Sequence, residues 1–506
     1  MLPATVPTLQ ASDLYAIERP SERRFVIMLN AADDLHVEAV VRVVKHRRVV
    51  VRAVWQSRPV YAKLFIGRDA ARYAERDRRG AQALADAGVM TPALLYAAAL
   101  PDSAAHVLLY AAVSGAMNAD QAWNSMDSAQ RSRLAFALVR EVALHHQAGL
   151  QQTDLYLKNF MLQGDTIYTL DGDGIRGLPS WYTRRAALQN LAMLLGKLDV
   201  LDVWPVLPGL LDQYARLRGW EHSPALGRFK RMMAAQRYHL AQGYAQRKVL
   251  RQCSDVNVQV SSSQFLAISS ERDTPALRSV LQAPDLCMGA EHVRLKSGNT
   301  CTVSLIQLGE RNIVVKRYNI KTFWHGLNRA LRKTRAAASW SNAFRLQLLG
   351  VATPSPVALL ERRMGCIRRE AYFLAEYLPA PDVAGYFAAP MEQARRDASA
   401  LRIARLFYQL YLLMIVHGDC KASNIKIADD QPVLIDLDSM RQYAPGWLGE
   451  RRFLRGHVRD LRRFLRNWSP GDVVRVAIEQ AFVMTYKDPA LLRAAGIHIE
   501  KDVKNI

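Results

Sequence analysis

A chain of 506 residues has room for two or three globular domains, and a composition that is 50% hydrophobic and 23% charged excludes a disordered or fibrous polymer. The formal charge of +22, shared by both halves, calls for anionic partners such as nucleic acid, acidic lipid or phosphorylated substrates. Five cysteines without a CxxC pair argue against a zinc site or a disulfide framework and for a reducing compartment.

The first residues lack a basic stretch followed by an apolar one, so no secretory signal is expected. Val60-Tyr-Ala-Lys63 reads as an apolar strand ending in a lysine. Glu75, twelve residues on, lies on a helical stretch from which it could pair with Lys63. No glycine occurs in residues 42–48, where a phosphate-covering turn would stand. Gly88-Val-Met-Thr-Pro92 follows the helix. Asp154-Leu-Tyr-Leu-Lys-Asn159 and Tyr168-Thr-Leu-Asp171-Gly-Asp173 come next. The basic stretch Arg216–Arg251 reads as one or two helices. Residues 246–285 are polar, include Ser261-Ser-Ser-Gln264, and are expected to be a linker.

Beyond it the order repeats at a period of 262–265 residues. Leu295-Lys-Ser-Gly298-Asn-Thr300 is a candidate phosphate-covering turn. It precedes two expected strands, Thr302–Leu308 and Asn312–Tyr318, and the second carries Lys316. No acid lies between Lys316 and Gly350, so Asn342 is the candidate partner for that lysine. Gly350-Val-Ala-Thr-Pro354 matches the earlier element. The longest apolar run, around Leu406–Val416, is too short to span a bilayer and reads as a buried helix. His417-Gly-Asp419-Cys-Lys421-Ala-Ser-Asn424 follows, then a hairpin ending in Asp436-Leu-Asp438. In both halves Asp to Asn is five residues and Asp to the next Asp is seventeen.

The chemistry these residues suit is phosphoryl transfer. It needs a cation on the phosphates, oxygen ligands for a bridging metal, and a carboxylate to orient the acceptor hydroxyl. Asp419 is the candidate for the last task, with Lys421 beside the travelling phosphate and Lys316 on the phosphates of bound nucleotide. Asn424 and Asp436 are candidate metal ligands, and Asp438 is either a further ligand or a structural acceptor. In the first half Asp154, Lys63, Asn159, Asp171 and Asp173 take the corresponding places. Gln152 stands where His417 does, and Tyr156 where Lys421 does. His417 and the pair His145-His146 are expected to be structural, since adjacent histidines point to different sides of a helix.

In its G-V-x-T-P elements, its HGDxKxxN loop and its Ile-Asp-Leu-Asp strand end, the sequence resembles the lipopolysaccharide core kinases of Gram-negative bacteria, the heptose and Kdo kinases. These are distant kin of protein kinases, and the likeness covers roughly residues 40–200 and 290–470. Aminoglycoside kinases share the HGDxxxxN and D-x-D elements. The resemblance implies an α+β protein of two tandem protein-kinase-like bilobal domains, each with a small antiparallel-sheet N-lobe and a helical C-lobe. The expected boundaries are 1–245, a linker 246–285, and 286–506. It further implies ATP and Mg2+, a heptose or Kdo acceptor of the inner core, and work at the cytoplasmic face of the inner membrane with peripheral contact to anionic lipid. Arg228–Arg251 and Lys321–Arg335 are the basic stretches suited to that contact. A kinase for a protein or aminosugar, or one catalytically silent module, are the alternatives; nucleic-acid binding would explain only the charge.

Overall fold

The computed structural model describes residues 6–101, 104–181, 183–288, 293–298, 301–318, 333–365 and 367–497. The chain is a mixed α+β protein that forms two compact units, divided at Met232/Met233 within the helix Leu226–Gln246.

The first unit opens on a seven-stranded sheet. Five of its strands are β1 (Asp34–Val44), β2 (Arg48–Trp55), β3 (Arg58–Phe65), β4 (Leu94–Ala99) and β5 (His106–Ala111), hydrogen-bonded in the order β1-β2-β3-β5-β4. All four pairings are antiparallel. β-branched residues suit the pleated surface, and alternate side chains of β2 and β3 (Val49, Val51, Ala53; Val60, Ala62, Leu64) are fully buried in the core. Helix α1 (Ala70–Asp86) crosses from β3 to β4 and buries Ala70, Ala74, Ala81 and Leu84, the three- and four-residue spacing of a helix face.

α1 ends at Gly88, whose φ of 68° needs no strained side chain there. The Val89 amide then bonds back to Leu84 O at 2.9 Å, satisfying a carbonyl of the last turn. A predominantly helical part follows, with the long helix Ser128–Gln147 and α2 (Thr183–Leu195).

The second unit has the same five-strand order. β6 (Val293–Gly298), β7 (Cys301–Leu308), β8 (Arg311–Tyr318), β9 (Pro356–Met364) and β10 (Ile367–Glu376) lie as β6-β7-β8-β10-β9. Helix α3 (Arg335–Leu348) stands between β8 and β9 as α1 does between β3 and β4. It ends the same way: Gly350 has φ 71°, and the Val351 amide bonds to Leu346 O at 2.9 Å. Helices Gln393–Leu412 and α4 (Trp447–Leu465) follow.

Two extra strands extend each five-strand core, on opposite edges. In the first unit they flank β1; in the second, Val256–Val260 and Gln264–Ser269 flank β9. The segment 246–285 thus contributes two strands to the second unit's sheet and the helix Pro275–Gln282. Its polar composition has a local cause: Ser261-Ser-Ser-Gln264 makes the hairpin turn, and Gln259 points outward from an edge strand whose neighbour buries Phe265, Leu266, Ala267 and Ile268.

Candidate active site

In the second unit the catalytic-looking loop hangs from buried anchors. His417 is fully buried; its Nε2 donates to Ile435 O at 3.0 Å, and its amide donates to Asp460 Oδ2 at 2.7 Å. The Gly418 amide also reaches Asp460, at 3.1 Å. Burial raises the Asp460 carboxyl above its ordinary range, against the pull of these amides. Asn424 Nδ2 donates to Asp419 O at 2.8 Å and to Asp419 Oδ2 at 3.3 Å. The Ile435 amide bonds to Asn424 O at 3.0 Å, and this delivers Asp436 next to the loop. Asp436 adopts φ 60°, ψ 59°, a left-handed conformation costly for a non-glycine residue, and so turns out of the strand.

Lys316 on β8 is ion-paired with Asp436 and reaches Asp438 at 3.5 Å. Arg335 at the start of α3 holds Asp438 at 2.6 Å. Burial works to raise the Asp436 carboxyl, but Lys316 beside it outweighs burial and holds it below the usual carboxylate range. Asp419 is ion-paired with Arg463 of α4, and Lys421 Nζ lies 3.5 Å from its Oδ2. The structure thus gathers Lys316, Asp419, Lys421, Asn424, Asp436 and Asp438 on adjoining elements.

Two expectations fail here or fall short. Asn342 does not touch Lys316: its Nδ2 donates to Leu437 O at 2.8 Å and Met440 O at 3.0 Å, and its Oδ1 accepts from Arg345. It clamps the Asp436–Asp438 turn, because α3 packs directly on that turn. Gly298 is the last residue of β6, paired with Cys301; residues 299–300 of the candidate turn lie outside the described residues. So do Lys321–Arg332 of the second basic stretch. In the first basic stretch Arg237 is buried.

The first unit reproduces the framework closely. Asn159 Nδ2 donates to Asp154 O at 2.6 Å, and the Leu170 amide bonds to Asn159 O at 2.7 Å. Asp171 has φ 67°, ψ 72°, the same outward turn as Asp436. Gln152 Nε2 donates to Leu170 O at 2.8 Å, the bond that His417 makes in the other unit. Asn190 of α2 donates to Gln152 O at 2.8 Å, a helix-borne anchor for this loop as Asp460 is for the other, though to a carbonyl rather than to amides. His146 bonds to Asn190 and Tyr214, and His145 to Thr169, so both are partnered within the core.

The lysine partner differs from the expected one. Lys63 pairs with Asp77 at 2.6 Å and with Asp171 at 3.3 Å. Glu75 pairs instead with Arg78 and Arg79, whose hydrogen bonds hold its carboxyl down at about 2, and it lines an arginine-rich cavity of about 570 Å³. Two residues along a helix is about 200° of rotation. Asp77 therefore faces the sheet, fully buried, where Tyr110 OH donates to it at 2.5 Å. The sequence did carry the signal: Asp77 falls in the buried stripe Ala70, Ala74, Ala81, Leu84, and Glu75 does not. Asp460 had the same signal, a carboxylate inside the apolar stripe of α4.

More cations crowd the first unit's acids. Arg48, the first residue of β2, lies 3.4 Å from Asp171, and Arg47, in the turn before it, 3.2 Å from Asp173; Arg76 of α1 also pairs with Asp173. Lys63 and then Arg48 overcome the effect of burial and hold the Asp171 carboxyl below its ordinary value. Tyr156, in the place of Lys421, is compensated in space. Lys197 Nζ stands 3.4 Å from the centre of its ring and interacts with Asp154, while burial brings its ammonium down to about 8.

Among the described residues there is no group of three or more His, Cys, Asp or Glu able to hold a metal. The expected set does not need one: an amide oxygen and a carboxylate, from Asn424 and Asp436, are hard oxygen donors of the kind that magnesium takes alongside phosphates and water. Asn424 uses its amide nitrogen on Asp419, which leaves its oxygen for that task. Among curated proteins none matches the chain. Residues 291–480, however, match the model of the Lipopolysaccharide kinase (Kdo/WaaP) family. That segment is similar to this family and holds the whole constellation built around Lys316, Asp419 and Asp436, the constellation of an ATP-dependent kinase.

Proposed function

We propose that the second unit transfers the γ-phosphoryl group of ATP to a hydroxyl of a heptose or Kdo sugar in the lipopolysaccharide inner core, at the cytoplasmic face of the inner membrane. The observation that carries this reading is the convergence of Asp419, Asn424 and Asp436 beside Lys316. Lys316 would bind the nucleotide phosphates. Asp419, steadied by Arg463 and Asn424, would orient the acceptor hydroxyl and take its proton as the oxygen attacks phosphorus and ADP leaves. Lys421 would balance charge on the group in transit. Magnesium, held by Asn424 and Asp436, with Asp438 as a further candidate, would neutralise the phosphates. Asp438 is also the acceptor for Arg335, so a structural role fits it as well.

The five-strand order shared by both units, and the matched loops, support two tandem kinase-like domains. For the first unit a non-catalytic role is the better reading. Asp171 and Asp173, its would-be metal ligands, already face Arg47, Arg48, Arg76 and Lys63, and a divalent cation would have to displace them. Phosphate transfer from labelled ATP onto extracted core oligosaccharide tests both statements. Asp419→Asn is expected to lower the rate by about 10²–10⁴-fold, and Asp154→Asn to leave it near wild type. Transfer onto protein but not oligosaccharide would replace the acceptor; loss of activity in Asp154→Asn alone would exchange the roles of the units.

A further inference from the structure

Helix α4 buries Phe453, His457, Asp460, Leu461 and Phe464 and turns its other side outward. At 100° per residue, one half of its circumference carries Arg451, Arg452, Arg455, Arg459, Arg462 and Arg463, all exposed. No carboxylate shares that half. Asp460 is buried, and Glu450 lies off the arc, its Oε1 accepting from the Gly446 amide. Of these arginines only Arg463 is ion-paired among the described residues, with Asp419. At the start of the helix Trp447 and Leu448 are 72% and 59% exposed.

Like charges four residues apart, as at Arg451, Arg455, Arg459 and Arg463, repel and destabilise a helix in water. An anionic partner removes that repulsion. From Arg451 to Arg463 the face runs a little over three turns, roughly 18 Å. It matches an extended anionic plane better than a single phosphate. Exposed tryptophan and leucine at one end favour the headgroup region of a bilayer over a nucleic-acid backbone.

We propose that α4 is a membrane-docking helix. Its arginine face lies on a bilayer rich in anionic phospholipid, with Trp447 and Leu448 entering the headgroup layer. Arg463 belongs to the same face and touches Asp419, so docking would present lipid-borne hydroxyls to that carboxylate. This last step rests on the kinase reading; the docking itself does not.

The test is flotation of the full chain with vesicles of phosphatidylcholine alone and of phosphatidylcholine mixed with phosphatidylglycerol. Wild type is expected to float only with the mixed vesicles and to be released by high salt. The triple variant Arg451→Glu/Arg452→Glu/Arg455→Glu should lose more than about a hundredfold in partitioning, and Trp447→Ala should lose several-fold. Circular dichroism checks folding, and the triple glutamine variant carries the test if the glutamate one does not fold. Thermal protection by magnesium–ATP is measured on the same samples. These three arginines touch none of Lys316, Asp419 or Asp436, so protection should match wild type. Protection without flotation overturns the docking proposal alone, and flotation without protection overturns the kinase reading alone. Equal flotation of the triple variant, or binding of wild type to duplex RNA but not to vesicles, also overturns docking.

Discussion

Asn342 is small, buried and placed where a lysine-pairing carboxylate was expected, yet it works on the backbone. Its two amide hydrogens go to Leu437 O and Met440 O, carbonyls of the turn that carries Asp436 and Asp438. A carboxylate cannot donate these bonds. Asn342→Asp is therefore expected to leave both carbonyls facing negative charge and to destabilise the second unit by about 2 kcal/mol or more. Chemical denaturation measures this, and phosphotransfer should fall with it. A lysine-pairing role predicts the reverse, a tighter grip on Lys316 and better activity. Much of the site was legible because the loop and strand-end spacing is one-dimensional: Asp419, Asn424 and Asp436, and their counterparts Asp154, Asn159 and Asp171, stand together in space as their order implied. The lysine partners were not legible by spacing alone. Spacing points to Glu75, whereas the apolar side of α1 carries Asp77, and the lack of an acid on α3 hides that Asp436 and Asp438 themselves supply the counter-charge to Lys316.

Each unit fastens the helix that leaves its sheet, α1 or α3, to the D-x-D turn, by different means. In the second unit Asn342 and Arg335 do so. In the first, backbone meets backbone: a Cβ on Gly80 of α1 would come within 1.9 Å of Gly172 O, and one on Gly172 within 2.2 Å of Asp77 O. Neither oxygen can swing aside as a side chain could. Gly80→Ala should push α1 off the turn, cost about 2–3 kcal/mol of stability, and part Arg76 from Asp173. Hydrogen exchange of the segments 70–86 and 171–174 would rise in that variant and stay unchanged elsewhere in the chain. Contact this close is invisible in sequence, where Gly80 reads only as a weak helix residue. In the segment 246–285 two strands are hidden for a related reason, since an edge strand with a serine turn has the composition of a linker until its partner strand is known.

Across the whole molecule, buried titratable groups bound the pH range of stability from both sides. Burial pushes His145 down to about 3, His146 to about 4 and His457 to about 3. Each folded value lies below the unfolded one, so the unfolded chain takes up protons that the native chain refuses, and stability falls as pH drops from about 6.5. The charge of +22 grows further as carboxylates protonate, adding self-repulsion. Glu141 acts on the other side. Its Oε1 is buried without a hydrogen-bond partner among the described residues, and burial raises its carboxyl to about 7. A folded value above the unfolded one means stability is fully present below about 4.5 and is lost as pH rises through 7. Glu141→Gln removes that loss. The variant should be up to about 3 kcal/mol more stable than wild type at pH 8 and no more stable at pH 4.5. Urea denaturation at the two pH values reads the difference, and an equal gain at both would show that the Glu141 carboxyl titrates alike in the folded and unfolded chain.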